Sequence, residues 1–165
     1  MRILSIDIGW LNMGLALATC KSSTDVEIEY VKKVNLDDYK YIYSNEVVDL
    51  VPLLVDDHRF IFDSADVILI ERQPPGGFGN IQTLIHYMFK ERVILISPNS
   101  LHAHFGMNHL NYEERKVRSE QIASWHLKEP IPYERKHDIT DAILMILYYN
   151  FKTNVHIFDK FRFKL

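Results

Sequence analysis

The chain has 165 residues, 47% of them hydrophobic and 25% charged, with a net charge of −3. That length and apolar content predict one compact domain over residues 1–165, and no apolar stretch reaches the roughly 20 residues that a membrane-spanning helix needs. The single cysteine, Cys20, excludes an internal disulfide and a cysteine-based metal site, and points to a reducing, intracellular compartment.

Arg2–Ile8 is a short apolar run suited to a buried strand, and Asp7 interrupts it, which also removes any signal-peptide reading. Turn residues Gly9–Gly14 follow, then a second strand at Leu15–Cys20, a polar turn at 21–24 and an alternating third strand at Val26–Val34. These three predict an antiparallel meander. Tyr39–Tyr43 has no clear period, and Ser44 is placed to cap a helix running toward Val55 with Val47, Val48, Val51 and Leu54 on one face. Val67–Ile70 is a β-branched run of the kind a parallel strand covered on both faces requires, and Glu71 ends it.

Residues 73–80, Gln-Pro-Pro-Gly-Gly-Phe-Gly-Asn, form a loop that lacks the Gly-Lys-Ser/Thr ending of a phosphate loop. A mobile flap is therefore expected there, with no nucleotide cofactor. Ile81–Lys90 carries Ile81, Leu84, Ile85 and Met88 at helical spacing, and Val93–Ile96 is a fifth strand that Ser97-Pro98 stops. Tyr112–Leu127 is an amphipathic, charge-rich helix, and Pro130-Ile-Pro132 breaks the chain before an apolar helix over Ile139–Tyr149. The sum is an α/β domain.

Four carboxylates stand out against this frame: Asp7 inside the first strand, Glu71 at the end of the fourth, and Asp138 and Asp141 opening the last helix. Acids are disfavoured in strands, and burying one costs several kcal/mol unless cations or hydrogen bonds compensate. If the first and fourth strands are parallel neighbours, Asp7 and Glu71 share the carboxyl end of the sheet, where α/β sites form. Asp138 and Asp141, three apart, project from one helical face. A helix cap at Asp138 with a dipole-favoured Asp141 accounts for those two as well, but not for the strand acids. An all-carboxylate cluster suits magnesium, and two such ions about 4 Å apart activate a water and stabilise a leaving 3′ oxygen. Two Mg2+ per site, with Mn2+ standing in, is the expected cofactor.

Charge is unevenly spread. Residues 1–89 hold 7 Lys/Arg against 13 Asp/Glu, whereas residues 90–165 hold 12 against 9. The C-terminal half can thus meet a polyanion. Lys116 is the candidate cation for the leaving group, with Arg115 and Arg118 as phosphate clamps. A solvated face in which these bases pair with Glu113, Glu114 and Glu120 accounts for the helix equally well. The tail from Lys152 interleaves Lys152, Lys160, Arg162 and Lys164 with Phe151, Phe158, Phe161 and Phe163, which fits DNA contact or a frayed terminus.

Asp-Ile-Gly at 7–9 with Asn12 and Gly14-Leu-Ala16, Ile-Glu-Arg-Gln at 70–73 and Lys-His-Asp-Ile-Thr-Asp-Ala at 136–142 occur in the order of the RuvC-type Holliday junction resolvases. The chain resembles that family across nearly its whole length, and the Glu-Arg-Gln-Pro form of the second motif is similar to its poxvirus branch and to the fungal mitochondrial enzymes. The resemblance implies a ribonuclease H-like sheet of five strands, three antiparallel and two parallel, with flanking helices. It implies a homodimer that binds four-way and branched DNA and makes paired symmetric nicks with magnesium, with Asp7, Glu71, Asp138 and Asp141 as the metal-binding quartet. A poxvirus setting implies resolution of genome concatemers in the host cytoplasm. The phenylalanine that bacterial members place after the second acid has Phe78 as its nearest counterpart here, and only Lys116 matches their basic residues.

Two other functions share parts of this pattern. RuvC-like nucleases that process structured RNA have the same Asp-x-Gly opening, and a noncatalytic branched-DNA module would keep the fold without needing all four acids.

Overall fold

The computed structural model describes residues 1–40, 44–131 and 136–162, with side chains described through Asn154. Strands β1 (Arg2–Asp7), β2 (Met13–Cys20), β3 (Val26–Val34), β4 (Val67–Glu71) and β5 (Val93–Ile96) form one sheet in the order β3-β2-β1-β4-β5. The β1–β2 and β2–β3 pairs are antiparallel, and β1–β4 and β4–β5 are parallel. This is the meander and parallel extension the apolar runs predict.

Helices cover both faces. Leu4, Ile6, Ile68 and Ile70 turn to one side, where they meet α1 (Val47–Asp57), α2 (Arg59–Ser64) and α3 (Gly79–Phe89) through Leu50, Leu54, Phe62, Ile81 and Ile85. Ile3, Ala16, Ala18 and Leu69 turn to the other, against α4 (Pro98–His104), α5 (Tyr112–Ser124) and α6 (His137–Arg162). Alternation along each strand, with both faces covered, makes β1 and β4 read as continuous apolar runs.

Several expectations change. Ser44 does not cap α1: Glu46 precedes the helix without a capping bond, while the Ser44 hydroxyl donates to Asp49 and accepts the Glu46 N–H. The buried stripe of α1 is Leu50, Val51, Leu54 and Val55, and Val48 is 65% exposed. Val51 and Leu54 are thus on the stripe and Val47 packs against it, whereas Val48 lies roughly a quarter-turn round the helix and faces out. Tyr41–Tyr43, the ambiguous stretch, lie outside the described residues, and Leu36–Tyr39 forms a 3-10 turn whose Asn35 side chain accepts the Asp37 N–H. Pro98 does not only stop β5. It opens α4 from its first turn, where a missing N–H costs nothing. The last helix runs far past Tyr149, from His137 to Arg162, and the tail cations beyond Asn154 lie outside the described side chains.

Candidate active site

The site grows from one row across the sheet. Asp7 pairs with Gly14 of β2, and continuing the β1–β4 register one step beyond Ile6–Ile70 sets Asp7 beside Glu71. Both acids therefore end adjacent parallel strands and face α6, on the same side as Ile3 and Leu69. Their carboxyls are hydrogen-bonded to each other.

Gly14 brings in the helix. A Cβ there would lie 2.0 Å from the Asp138 carbonyl oxygen and 3.0 Å from the Ile139 nitrogen, so only glycine lets the first turn of α6 rest on β2. The Lys136 carbonyl accepts the Ile139 and Thr140 N–H groups, and the helix begins at His137. Asp138 is thus its second residue and not its cap, so a capping role does not account for it. It is 6% exposed, with His137 Nε2 3.5 Å from its carboxylate.

Helix α5 closes the far side. Asn111 and Glu114 form a reciprocal capping box at 3.0 and 2.8 Å, which sets the phase of the helix. That phase sends Arg115 and Ser119, one turn apart, toward α6. The buried Ser119 hydroxyl donates to Asp141, and the Arg115 charge also acts on that carboxylate. Arg115 Nη1 is itself held by the Leu110 carbonyl at 2.9 Å.

The electrostatics are those of acids crowded together with little compensation. Burial raises Asp7 well above its ordinary value, and the charges of Asp141, Glu71 and Asp138 add to the rise. Burial also raises Glu71, opposed by the bond from Asp7. For Asp141, burial outweighs the Ser119 hydrogen bond, and its pKa moves from 3.8 to about 6. In the absence of a cation all three hold a proton more tightly than an ordinary carboxyl does. Among the described residues no three His, Cys, Asp or Glu side chains are already gathered into a coordination cage.

Asp7 and Asp138 open onto a depression of about 530 Å³, bounded by the Gly9–Asn12 turn and Phe78. The turn is tight because a Cβ on Gly9 would sit 2.5 Å from the Asn12 carbonyl oxygen. Phe78, expected at the DNA, is 37% exposed at this mouth. The loop that carries it is tied down: Gln73 N–H donates to Gln82 at 2.8 Å, and Gln73 Oε1 accepts the Phe78 N–H at 3.2 Å. These bonds fix the two ends of the loop, and the residues between them are largely exposed.

The three bases of α5 part company. Arg115 acts on Asp141 through its charge. Lys116, about 100° further round the helix, lies 3.2 Å from Glu113 and 3.9 Å over the Tyr112 ring. Arg118 lines a separate hollow with Trp125, His104 and Phe151.

The Poxvirus A22 protein family matches residues 1–153 of the chain. The chain belongs to that family. No curated protein sequence matches it. Among solved structures, the fowlpox virus Holliday junction resolvase superposes with a TM-score of 0.64 at 19% identity, covering 90% of this chain and 97% of that one. Thermus thermophilus RuvC gives 0.61 at 16% identity, covering 94% and 97%. The yeast mitochondrial Holliday junction resolvase, Ydc2, gives 0.66 at 19% identity, covering 96% and 83%. The family member described here therefore has the RuvC-type, ribonuclease H-like fold. The fowlpox enzyme has also been solved with substrate Holliday junction DNA.

The sequence does not single out Ser119, nor Arg115 as the base nearest the acids. The signal is present in the i, i+4 spacing of 115 and 119 ahead of buried Ile122 and Ala123, which marks the inward stripe of α5.

Proposed function

We propose that this protein is a Holliday junction resolvase that nicks four-way and branched DNA by hydrolysis. The observation that carries the reading is the convergence of Asp7, Glu71, Asp138 and Asp141 at one end of a RuvC-type sheet. Family membership and the fold shared with junction resolvases support the substrate class.

The donor set fits a hard divalent cation: carboxylate oxygens only, mutually repelling, and short of positive charge except for Arg115. Asp7, Glu71, Asp138 and Asp141 would hold magnesium, which when bound supplies an activated water and neutralises charge on the phosphate. The chain's own groups do the rest. Ser119 fixes the Asp141 carboxylate by donating a hydrogen bond, and Arg115 offers a guanidinium to an approaching phosphate. Phe78, at the mouth, presents an apolar ring beside the strand to be cut. Lys116 and Arg118, on other faces of α5, serve as backbone clamps for the junction arms rather than partners of the acids.

Paired nicks need two sites related by a two-fold axis, which a closed homodimer provides. Helix α3 spends Ile81 and Ile85 on the core, leaving half-buried Leu84 and Met88 and the 69% exposed Tyr87 for a partner. In a poxvirus the corresponding task is resolving genome concatemers in the host cytoplasm.

The test is Asp7→Asn. On a mobile four-way junction with magnesium the variant should lose nicking while still binding the junction. Full activity in that variant would overturn the assignment.

A further inference from the structure

The row across the sheet does not end at Gly14. Its next member, on β3, is Lys33, paired with Gly14 just as Gly14 is paired with Asp7. Paired residues share a face, so Lys33 rises on the same side as Asp7 and the first turn of α6. At a strand spacing of about 4.8 Å, its backbone lies about 10 Å from that of Asp7.

The Lys33 ammonium is not idle. It donates to Asn12 Oδ1 at 3.3 Å, and Asn12 belongs to the wall of the depression that contains Asp7 and Asp138. Four other lysines meet carboxylates, Lys21 and Lys128 at Glu27, Lys40 at Asp37 and Lys116 at Glu113, while Lys90 and Lys152 lie over tyrosine rings. Lys33 instead meets a neutral amide oxygen. It is held in place and uncompensated by a carboxylate among the described ion pairs, at the edge of a site that holds four carboxylates against the one guanidinium of Arg115 on its far side. Because the asparagine oxygen faces the lysine, its NH2 group is turned away from it and remains a donor. An ammonium and an amide N–H side by side suit one phosphate.

We propose that Lys33 and Asn12 form a phosphate subsite for the DNA strand that enters the carboxylate site, binding not the phosphate to be cleaved but one nearby on the β3 side. The proposal rests on the nuclease reading above. With one phosphate per 3.4 Å of rise, a span of about 10 Å puts the contacted group within about three nucleotides of the cut. Its role is to set the register of the strand over the acids, a task that phosphate contacts perform without reading bases.

The experiment measures junction binding by the Asp7→Asn protein, which leaves the DNA intact, across a salt series. It is repeated with Lys33→Gln and Lys33→Arg added. Glutamine keeps a donor for Asn12 while removing the charge. The junctions carry single neutral methylphosphonates at each position within three nucleotides of the cut. Lys33→Gln should bind several-fold more weakly, with the slope of log affinity against log salt reduced by about 1, and Lys33→Arg should restore it. One methylphosphonate position should weaken the Lys33 protein and leave Lys33→Gln unaffected. Equal slopes and coincident methylphosphonate profiles would overturn the subsite, even though junction binding itself stands. Failure of the Lys33 protein to prefer a four-way junction over duplex would instead overturn the underlying reading, and the subsite with it.

Discussion

The two faces of the sheet are made by the same strands and answer to different demands. On one, Leu4, Ile6, Ile68 and Ile70 are fully buried against α1, α2 and α3. On the other, Ile3 and Leu69 begin an equally apolar layer, but the series runs out into Ser5, Asp7 and Glu71 under α5 and α6. Ser5 is buried with no hydrogen-bond partner for its hydroxyl among the described residues, and Asp7, Glu71 and Asp141 are pushed toward protonation. One face maximises stability and the other gives some up. The lesson is that the apolar face supports the polar one: acids held together at a cost need a rigid layer beneath them.

The largest expected effect is on the apolar face. Leu4→Ala should lower unfolding free energy by about 2–5 kcal/mol in urea, the usual result of opening a cavity in a filled core. A loss well below that would mean the two faces are less different than their packing indicates.

Next comes Asp141, where the effect has the opposite sign. Its folded pKa of about 6 exceeds the ordinary 3.8, so the folded state binds its proton more tightly than the unfolded state does. That contribution is full below about pH 4 and is lost as pH rises through 6. In metal-free buffer, Asp141→Asn should therefore gain on the wild type between pH 4 and 7, by roughly 3 kcal/mol at most if two pKa units are converted directly. A stability difference that stays flat with pH would mean that this acid is not buried at a cost. Gly14→Ala should cost about 1–3 kcal/mol by driving a methyl into the Asp138 carbonyl, and it should impair nicking because α6 must retreat from Asp7. An alanine variant with wild-type stability and nicking would show that the abutment does not position Asp138.

Much of this contrast is legible in the order of the residues alone. The strands announce themselves because central strands need apolar side chains on both faces, and an acid in such a run is out of place unless it has chemistry to perform. Val26–Val34 and Val93–Ile96 have the bounds that their residues predict. Short helices are harder: α2 and α4, at six and seven residues, are too brief for a period to emerge, and Pro98 is equally at home ending a strand or opening a helix. Choosing among Arg115, Lys116 and Arg118 requires the rotational phase of α5. That phase comes from the Asn111–Glu114 box and from packing against α6, a contact across sequence that composition does not encode. The close approach of Gly14 to Asp138 is hidden for the same reason, since a glycine in a strand does not say what comes near it.

The most direct measurement is the thermal unfolding of wild type and Asp7→Asn with EDTA and then with millimolar magnesium. If the acids are crowded because they are shaped for a cation, the variant should be the more stable protein in EDTA. Magnesium should raise the wild-type midpoint by a few degrees through selective binding to the folded state, and should move Asp7→Asn far less. Equal responses of the two proteins, or a wild type indifferent to magnesium at every concentration tried, would contradict a cation site built from these four acids.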